Sequence, residues 1–452
     1  LFSITIAVFM CLLDSHIVRI SLPVIARDFN VSSGQSSWIN LSYLLVVTPG
    51  LPVFGKISDI VGYRGIFVSG YIIFTIGSML CGISPNAHFL VFSRLIQGIG
   101  GVMLIASGPS MIPQLIPPDR RGFAFGLQAT AAGVGISLGA PLGGILTELL
   151  SWRYIFYINI PVSLAGIYIA IRYIPKETRA GVMKNLLNRL DIPGSILLYL
   201  SLFCLTVGLS LISRFKAEPA VILLLMGLGA VFMLLFLQRT RSCPEPLVDI
   251  SLFTKPFTLV LLSTFSAYIV MTGNTFLMPF YLMGPLKLTP AQSGLMILFY
   301  SLSFSLFSSL AGRLADMSDP KKIGTIGMFG NAVALAFFAA AAAGGSVSQT
   351  ALFLLFYGAM FAFFVAPTNK LLAGCAPATR QGVANGLYRS TVFFASLAGL
   401  AIYGSLLDTV SAMPAESAFS KIYIYSVLLP LASCIMLYFS GIPSPPDESG
   451  AA

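Results

Sequence analysis

Fourteen long apolar runs decide what this chain can fold into. They lie near residues 1–25, 36–55, 65–84, 88–115, 121–147, 153–174, 191–212, 219–238, 256–283, 291–312, 322–343, 349–371, 381–406 and 420–441. A helix crosses a bilayer with roughly 20 mostly apolar residues. In lipid the backbone must satisfy its own hydrogen bonds, so runs this long read as helices. Only 9% of residues are charged, against about 25% in soluble domains. The first run carries Asp14 and the other runs follow it, so it reads as a span and not as a signal peptide. The expectation is an all-α, multi-pass membrane protein.

Charge gives an orientation. With the N-terminus in the cytoplasm, 17 of the 26 Lys and Arg fall in cytoplasmic loops and six outside. Arg19, Arg94 and Arg389 lie inside helices. This asymmetry predicts an inner (cytoplasmic) membrane protein with both termini cytoplasmic. The net charge of +10 has the same origin, because no basic run is present to hold nucleic acid. Two histidines and six scattered cysteines predict no metal site and no disulfide framework. There is no phosphate-cradling loop and no nucleophile–base arrangement, so no enzyme, cofactor or ATP-driven pump is expected. The chain reads as a monomer whose partners are a small-molecule substrate, protons and membrane lipids.

The chain repeats itself. "RGFAFGL" at 121–127 returns as "QGVANGL" at 381–387, 260 residues on. "GKISD" at 55–59 returns as "GRLAD" at 312–316, 257 residues on. The repeat divides the chain into a six-helix bundle at 1–174, a linker with two further helices at 175–255, a second six-helix bundle at 256–441 and a disordered tail at 442–452. Parallel repeats of this kind build secondary transporters, with the substrate site at the repeat interface.

Several motifs carry a resemblance. "GKISDIVGYRG" at 55–65 resembles the signature loop of the major facilitator superfamily through Gly55, Asp59, Gly62 and Arg64. Gly55 permits close helix contact and Gly62 a tight turn. Asp59 can accept from Arg64 or from a helix N-terminus, forming a cytoplasmic latch. The second copy keeps Gly312 and Asp316 but loses the second glycine. "RLIQGIGG" at 94–101 resembles the superfamily's Arg-x-x-Gln-Gly pattern, with Arg94 and Gln97 on one helix face. "GLQATAAGVGISLGAPLGG" at 126–144 resembles the antiporter motif through Gly126, Gly135, Gly139, Gly143 and Gly144. Ala140 stands at the usual proline position and Pro141 follows it, so a kink is still expected. Ordinary small-residue packing would also explain the glycines. "WRYIFYINIP" at 152–161 is similar to the opening of helix 6 in the fourteen-helix drug:proton antiporter family. The resemblance implies the major facilitator fold, two six-helix bundles plus two extra helices, and proton-coupled efflux by alternating access.

"LLDSHIVRISLP" at 12–23 is where the chain departs from that family. Asp14, Leu22 and Pro23 match its usual opening, but His16 replaces a threonine and Arg19 an asparagine. His16 and Arg19 are about 60° apart on a helix, while Asp14 lies about 140° from Arg19. If the first and fourth helices pack together as the fold implies, Asp14 meets Arg94. That pair serves either as a proton-responsive switch or as a static brace. His16 and Arg19 either face a central cavity, favouring anionic or zwitterionic solutes, or Arg19 snorkels to the headgroups. Other candidate cavity residues are Gln35, Asn40, Tyr43, Gln97, Gln128, Asn274, Tyr281, Tyr388 and Arg389. A lipid or lipid-linked-metabolite transporter and a non-transporting receptor or channel are the competing classes.

Overall fold

The computed structural model describes residues 1–117, 121–175, 191–211, 219–242, 252–375, 381–409 and 415–440. Among them, 14 helices are long and apolar enough to cross a membrane. We number these α1 (Phe2–Asp28), α2 (Ser33–Val61), α3 (Tyr63–Gly82), α4 (Ala87–Leu115), α5 (Arg121–Leu149), α6 (Tyr154–Tyr173) and α7 (Ile192–Leu211). The second series is α8 (Pro219–Ser242), α9 (Lys255–Met283), α10 (Pro290–Met317), α11 (Pro320–Ala341), α12 (Val347–Cys375), α13 (Gln381–Thr409) and α14 (Ser417–Tyr438). The fold is all-helical, as the apolar runs predict. The loop 176–190 and the tail 441–452, with their expected cytoplasmic place and disorder, lie outside the described residues.

The repeat is visible in the backbone. Asn30 and Lys287, 257 residues apart, are the described non-glycine residues with positive φ, at 52° and 53°. Each sits in the short turn before α2 or α10. Both helices then open on the same capping box. Ser32 Oγ accepts from Gln35 N at 3.1 Å, and Gln35 Oε1 accepts from Ser32 N at 2.9 Å. Thr289 Oγ1 accepts from Gln292 N at 3.3 Å, and Gln292 Oε1 accepts from Thr289 N at 3.1 Å. Gln35 is therefore a cap and not a cavity group.

The helices cluster into two compact units. The first comprises Leu1–Val248 with Gly273–Leu298 and Ser396–Ala412. The second comprises Asp249–Thr272, Phe299–Ala395 and Met413–Ala452. In the first unit α1 packs along α5, and the reason lies in the glycines. A Cβ at Gly135 would lie 2.7 Å from Phe9 O, at Gly139 2.6 Å from His16 Cβ, and at Gly143 2.7 Å from Ile17 O. Three glycines four residues apart thus make a groove that takes the α1 backbone. α7 and α8 pack on each other, joined by Asp191, which caps α7 at Gly194 N (3.0 Å) and pairs with Arg239 Nε (2.5 Å). Most of the apolar surface of α8 is exposed, with only 11% of its apolar window buried.

α6 breaks at Ile158, between Tyr157 and Asn159. Pro161 has no N–H to offer the carbonyl of Tyr157, which interrupts the ladder there. The "WR" before α6 ties helix ends together. Trp152 Nε1 donates to Asp28 Oδ2 at 2.9 Å, and Arg153 donates to Asp28 (3.4 Å) and to Ser84 O (3.3 Å).

Candidate functional site

A charge pair lies at the centre of the first unit. Arg94 Nη1 donates to Asp14 Oδ2 at 2.6 Å, joining α4 to α1. Both side chains are essentially inaccessible, at 1% and 0% exposure. Two buried ions in low dielectric persist only where further hydrogen bonds satisfy them, and here they do. Asp14 Oδ1 accepts from Asn159 Nδ2 at 2.8 Å and from Gln97 Nε2 at 3.0 Å. Gln97 Oε1 accepts from Arg94 Nη1 at 2.6 Å, while its Nε2 also donates to Ser78 Oγ at 2.9 Å. Arg94 Nε donates to Ile39 O at 3.1 Å. The guanidinium carbon lies 4.5 Å from the centroid of the Tyr43 ring and 5.9 Å from that of Phe156.

Local structure explains the convergence. Arg94 and Gln97 share a face one turn apart. A Cβ at Gly77 would lie 2.5 Å from Gln97 Cα, so α3 approaches α4 closely beside the amide. The break in α6 sets Asn159 at a helix start, with its side chain turned to α1. The cluster as a whole holds one negative and one positive charge, and it gives Arg94 alternative partners in Gln97 Oε1 and Ile39 O.

This differs from the expected division of labour. Gln97 and Tyr43, read as cavity residues, belong to the charge cluster: the amide bridges carboxylate and guanidinium, and the ring lies against the cation. Asn159 was legible only as part of a motif and carries a role in the site that spacing did not reveal. A polar amide in an apolar run is the signal that marks it.

Of the remaining expected cavity residues, Asn40, Gln128, Asn274 and Tyr281 are buried, each 8% exposed or less. Both amide atoms of Asn40 and Nε2 of Gln128 are buried without a hydrogen-bond partner among the described residues. His16 is half-buried and its Nδ1 lies 2.9 Å from Leu12 O. Arg19 reaches α9, where Nη1 donates to Thr275 Oγ1 at 2.9 Å. In the second unit Arg389 is exposed, and Tyr388 Oη lies 3.4 Å from Tyr268 Oη.

Of the signature loop, Gly62 has φ 110°, the left-handed backbone that favours glycine. Arg64 Nη2 donates to Ile171 O at 2.8 Å, at the C-terminal end of α6, where a cation is favoured. Gly55 was expected to seat a close helix contact, but an added Cβ would meet nothing within 4 Å. The same holds at Gly312, and Asp316 pairs with Lys370 Nζ at 2.8 Å. The side chain of Asp59, and Gly126 beyond its place in α5, lie outside the described residues. Gly135, Gly139, Gly143 and Gly144 are accounted for by close packing, whereas a Cβ at Gly133 would meet nothing within 4 Å. Pro141 lies within α5.

The model of the Major Facilitator Superfamily matches residues 4–240 and 260–452. The riboflavin transporter RibZ of Clostridioides difficile (strain 630) is 32% identical over 406 residues, covering 89% of this chain and 86% of that protein. A Salmonella typhi protein named "Putative multidrug resistance protein MdtD" is 29% identical over 403 residues, covering 88% and 84%. A crystal structure of a D-xylose–proton symporter superposes with a TM-score of 0.65 at 17% identity, covering 98% of each chain, which shows a shared fold. The chain belongs to the Major Facilitator Superfamily and is a multi-pass secondary transporter of small molecules, not an enzyme.

Proposed function

We propose that the protein is a proton-coupled exporter of small amphipathic molecules, of the fourteen-helix drug:proton antiporter type, working by alternating access. The observation that carries this is the buried Asp14–Arg94 pair with Gln97 and Asn159 around it. A proton on Asp14 removes the negative charge that holds Arg94. The guanidinium keeps Gln97 Oε1, Ile39 O and the Tyr43 ring as alternative partners, so it changes allegiance without losing every bond. The charged and the protonated cluster are, in this reading, the two arrangements that a transport cycle requires. In this reading the chain lies in the inner membrane as a monomer with both termini cytoplasmic, and residues 1–174 and 256–441 form the two bundles joined by 175–255. Asp59 latches the cytoplasmic side.

The solute meets His16, Arg19, Asn40, Gln128 and Asn274. Arg19 and the unpartnered amide atoms of Asn40 and Gln128 suit an anionic or zwitterionic molecule rich in hydrogen-bonding groups. The relationship to RibZ favours a second reading, a flat heteroaromatic solute of the riboflavin kind, for which amides matter more than charge.

Flux into proteoliposomes with an imposed pH gradient, using cations, anions, riboflavin and lipids in turn, tests the proposal. Accumulation that follows the gradient supports it. Flux of lipids alone, or flux indifferent to the gradient, defeats it. Asp59→Asn should slow the cycle at unchanged protein yield; wild-type flux in that variant removes the latch.

A further inference from the structure

Two carboxylates occupy repeat-related positions and do the same thing. Glu148, at the end of α5, accepts from Ala291 N at 2.8 Å. Asp408, at the end of α13, accepts from Gly34 N at 2.8 Å and from Ser32 Oγ at 3.1 Å. Glu148 and Asp408 are 260 residues apart, the offset of the glycine repeat in these helices. Gly34 and Ala291 are 257 apart, the offset that also relates the turns and capping boxes of α2 and α10. Each acceptor takes the N–H of the second residue of its helix, where the partial positive charge of the terminus favours an anion. All of these residues lie in the first unit.

The backbone closes at the same two places. A Cβ at Gly144 would lie 2.2 Å from Pro290 O, and one at Gly294 2.4 Å from Ala140 O, where α5 crosses α10. A Cβ at Gly404 would lie 2.7 Å from Ser37 Oγ, and one at Gly34 2.1 Å from Asp408 Oδ2 and 2.7 Å from Gly404 O, where α13 crosses α2. Gly144 and Gly404 are again 260 apart. The capping boxes serve the amides of Ser32, Gln35, Thr289 and Gln292 from within each helix, whereas the amides of Gly34 and Ala291 are served from another helix, so each carboxylate ties a helix start to a neighbouring helix end.

We infer that Glu148 and Asp408 are the paired latches of the rim opposite the Gly62 loop, each locking a glycine-seated crossing that must separate when that rim opens. The inference rests on the alternating-access reading. By the charge asymmetry this rim is the outer one. Because the crossings belong to one rim, releasing one latch loosens both.

Hydrogen exchange on the purified full chain tests this without substrate or a proton gradient, so a failed flux assay and a failed latch remain distinguishable. The amides of the first two turns of α2 and α10 are read in the wild type, E148Q, D408N, the double variant and Gly34→Ala. Each single carboxylate variant should speed exchange in both helices, by about tenfold in the partner as well as in its own. The double variant should exceed either single. Gly34→Ala, which collides with Asp408 and leaves Glu148 intact, should speed exchange at the start of α10. Faster exchange confined to the helix whose carboxylate was removed would reduce both residues to independent caps. Unchanged exchange in every variant would also overturn the inference.

Discussion

Arg94 and Gln97 of α4 stand 260 residues before Leu354 and Tyr357 of α12. The correspondence is structural as well as numerical, since α4 and α12 start at Ala87 and Val347. A Cβ at Gly70 would lie 3.1 Å from Gly100 O, and one at Gly327 2.8 Å from Met360 O. In the first unit this position holds a buried ion pair and its amides. In the second it holds rings: Phe338 stacks on Phe353 with centroids 4.1 Å apart, Tyr423 meets Phe338 edge-on at 4.8 Å, and Tyr357 lies 5.4 Å from Phe353. Replacing a buried ion pair by packed apolar groups is often neutral or stabilising, and the chain displays both solutions on one helical frame. Stability alone does not select the charged one. Under the proposed function, the charged half keeps its pair for proton coupling.

The largest effect should come from converting one half toward the other. Arg94→Leu copies the second unit but leaves Asp14 buried without its cation. A loss of about 3–5 kcal/mol follows from stranding one ion of a buried pair, read as a lower thermal midpoint in detergent, with coupled flux gone. Asp14→Leu with Arg94→Leu should regain most of the stability and none of the coupling. Gradient-driven accumulation by the double variant would show that the ion pair is structural after all.

On the aromatic side, Phe338→Ala opens a cavity beside Phe353 and Tyr423. It should cost about 3 kcal/mol, at the low end for a buried phenylalanine, yet leave flux per folded molecule within about twofold. Coupling lost in step with stability would mean that the two halves share the chemistry.

Asn159→Ala sharpens the comparison within the charged half. It removes one of the donors on Asp14 and leaves Arg94 in place. A hydrogen bond to a charged group contributes about 1.5–3 kcal/mol, so stability should fall by less than in Arg94→Leu. The pH profile of flux should change, because a donor on the carboxylate of the proposed switch is gone. An unmoved pH profile would confine Asn159 to packing.

Residue spacing made much of this legible, and it is instructive where it did not. Fourteen apolar runs correspond to 14 spanning-length helices among the described residues, because lipid leaves the backbone no other way to satisfy itself. The two charges of the site stand out for the same reason, each being expensive alone in an apolar run. Gln97 and Tyr43 were misplaced because a neutral polar residue carries no mark of its partner. Whether it faces a solute or an ion depends on helix rotation and approach, which Gly77 sets from another helix. At Gly55 the loop pattern predicts a close helix contact, yet an added Cβ would meet nothing within 4 Å among the described residues.

Arg19→Asn should have the smallest effect and the most specific one. Arg19 lies on α1 about 140° around the helix from Asp14, half-buried, with its guanidinium on Thr275 of α9. It is therefore separate from the Asp14–Arg94 pair, and its removal leaves that pair's bonds in place. An asparagine can still bond locally, so the folded state should lose little. If Arg19 draws anionic or zwitterionic solutes, removing its charge should move the ratio of anion to cation flux by about tenfold, or about 1.4 kcal/mol of discrimination. The response to the pH gradient should stay as it was. Competition between one anionic and one cationic solute of similar size, measured in the same vesicles, reads this ratio directly. An unchanged ratio would leave Arg19 as a tie between α1 and α9, and solute choice would then rest on the amides of Asn40 and Gln128.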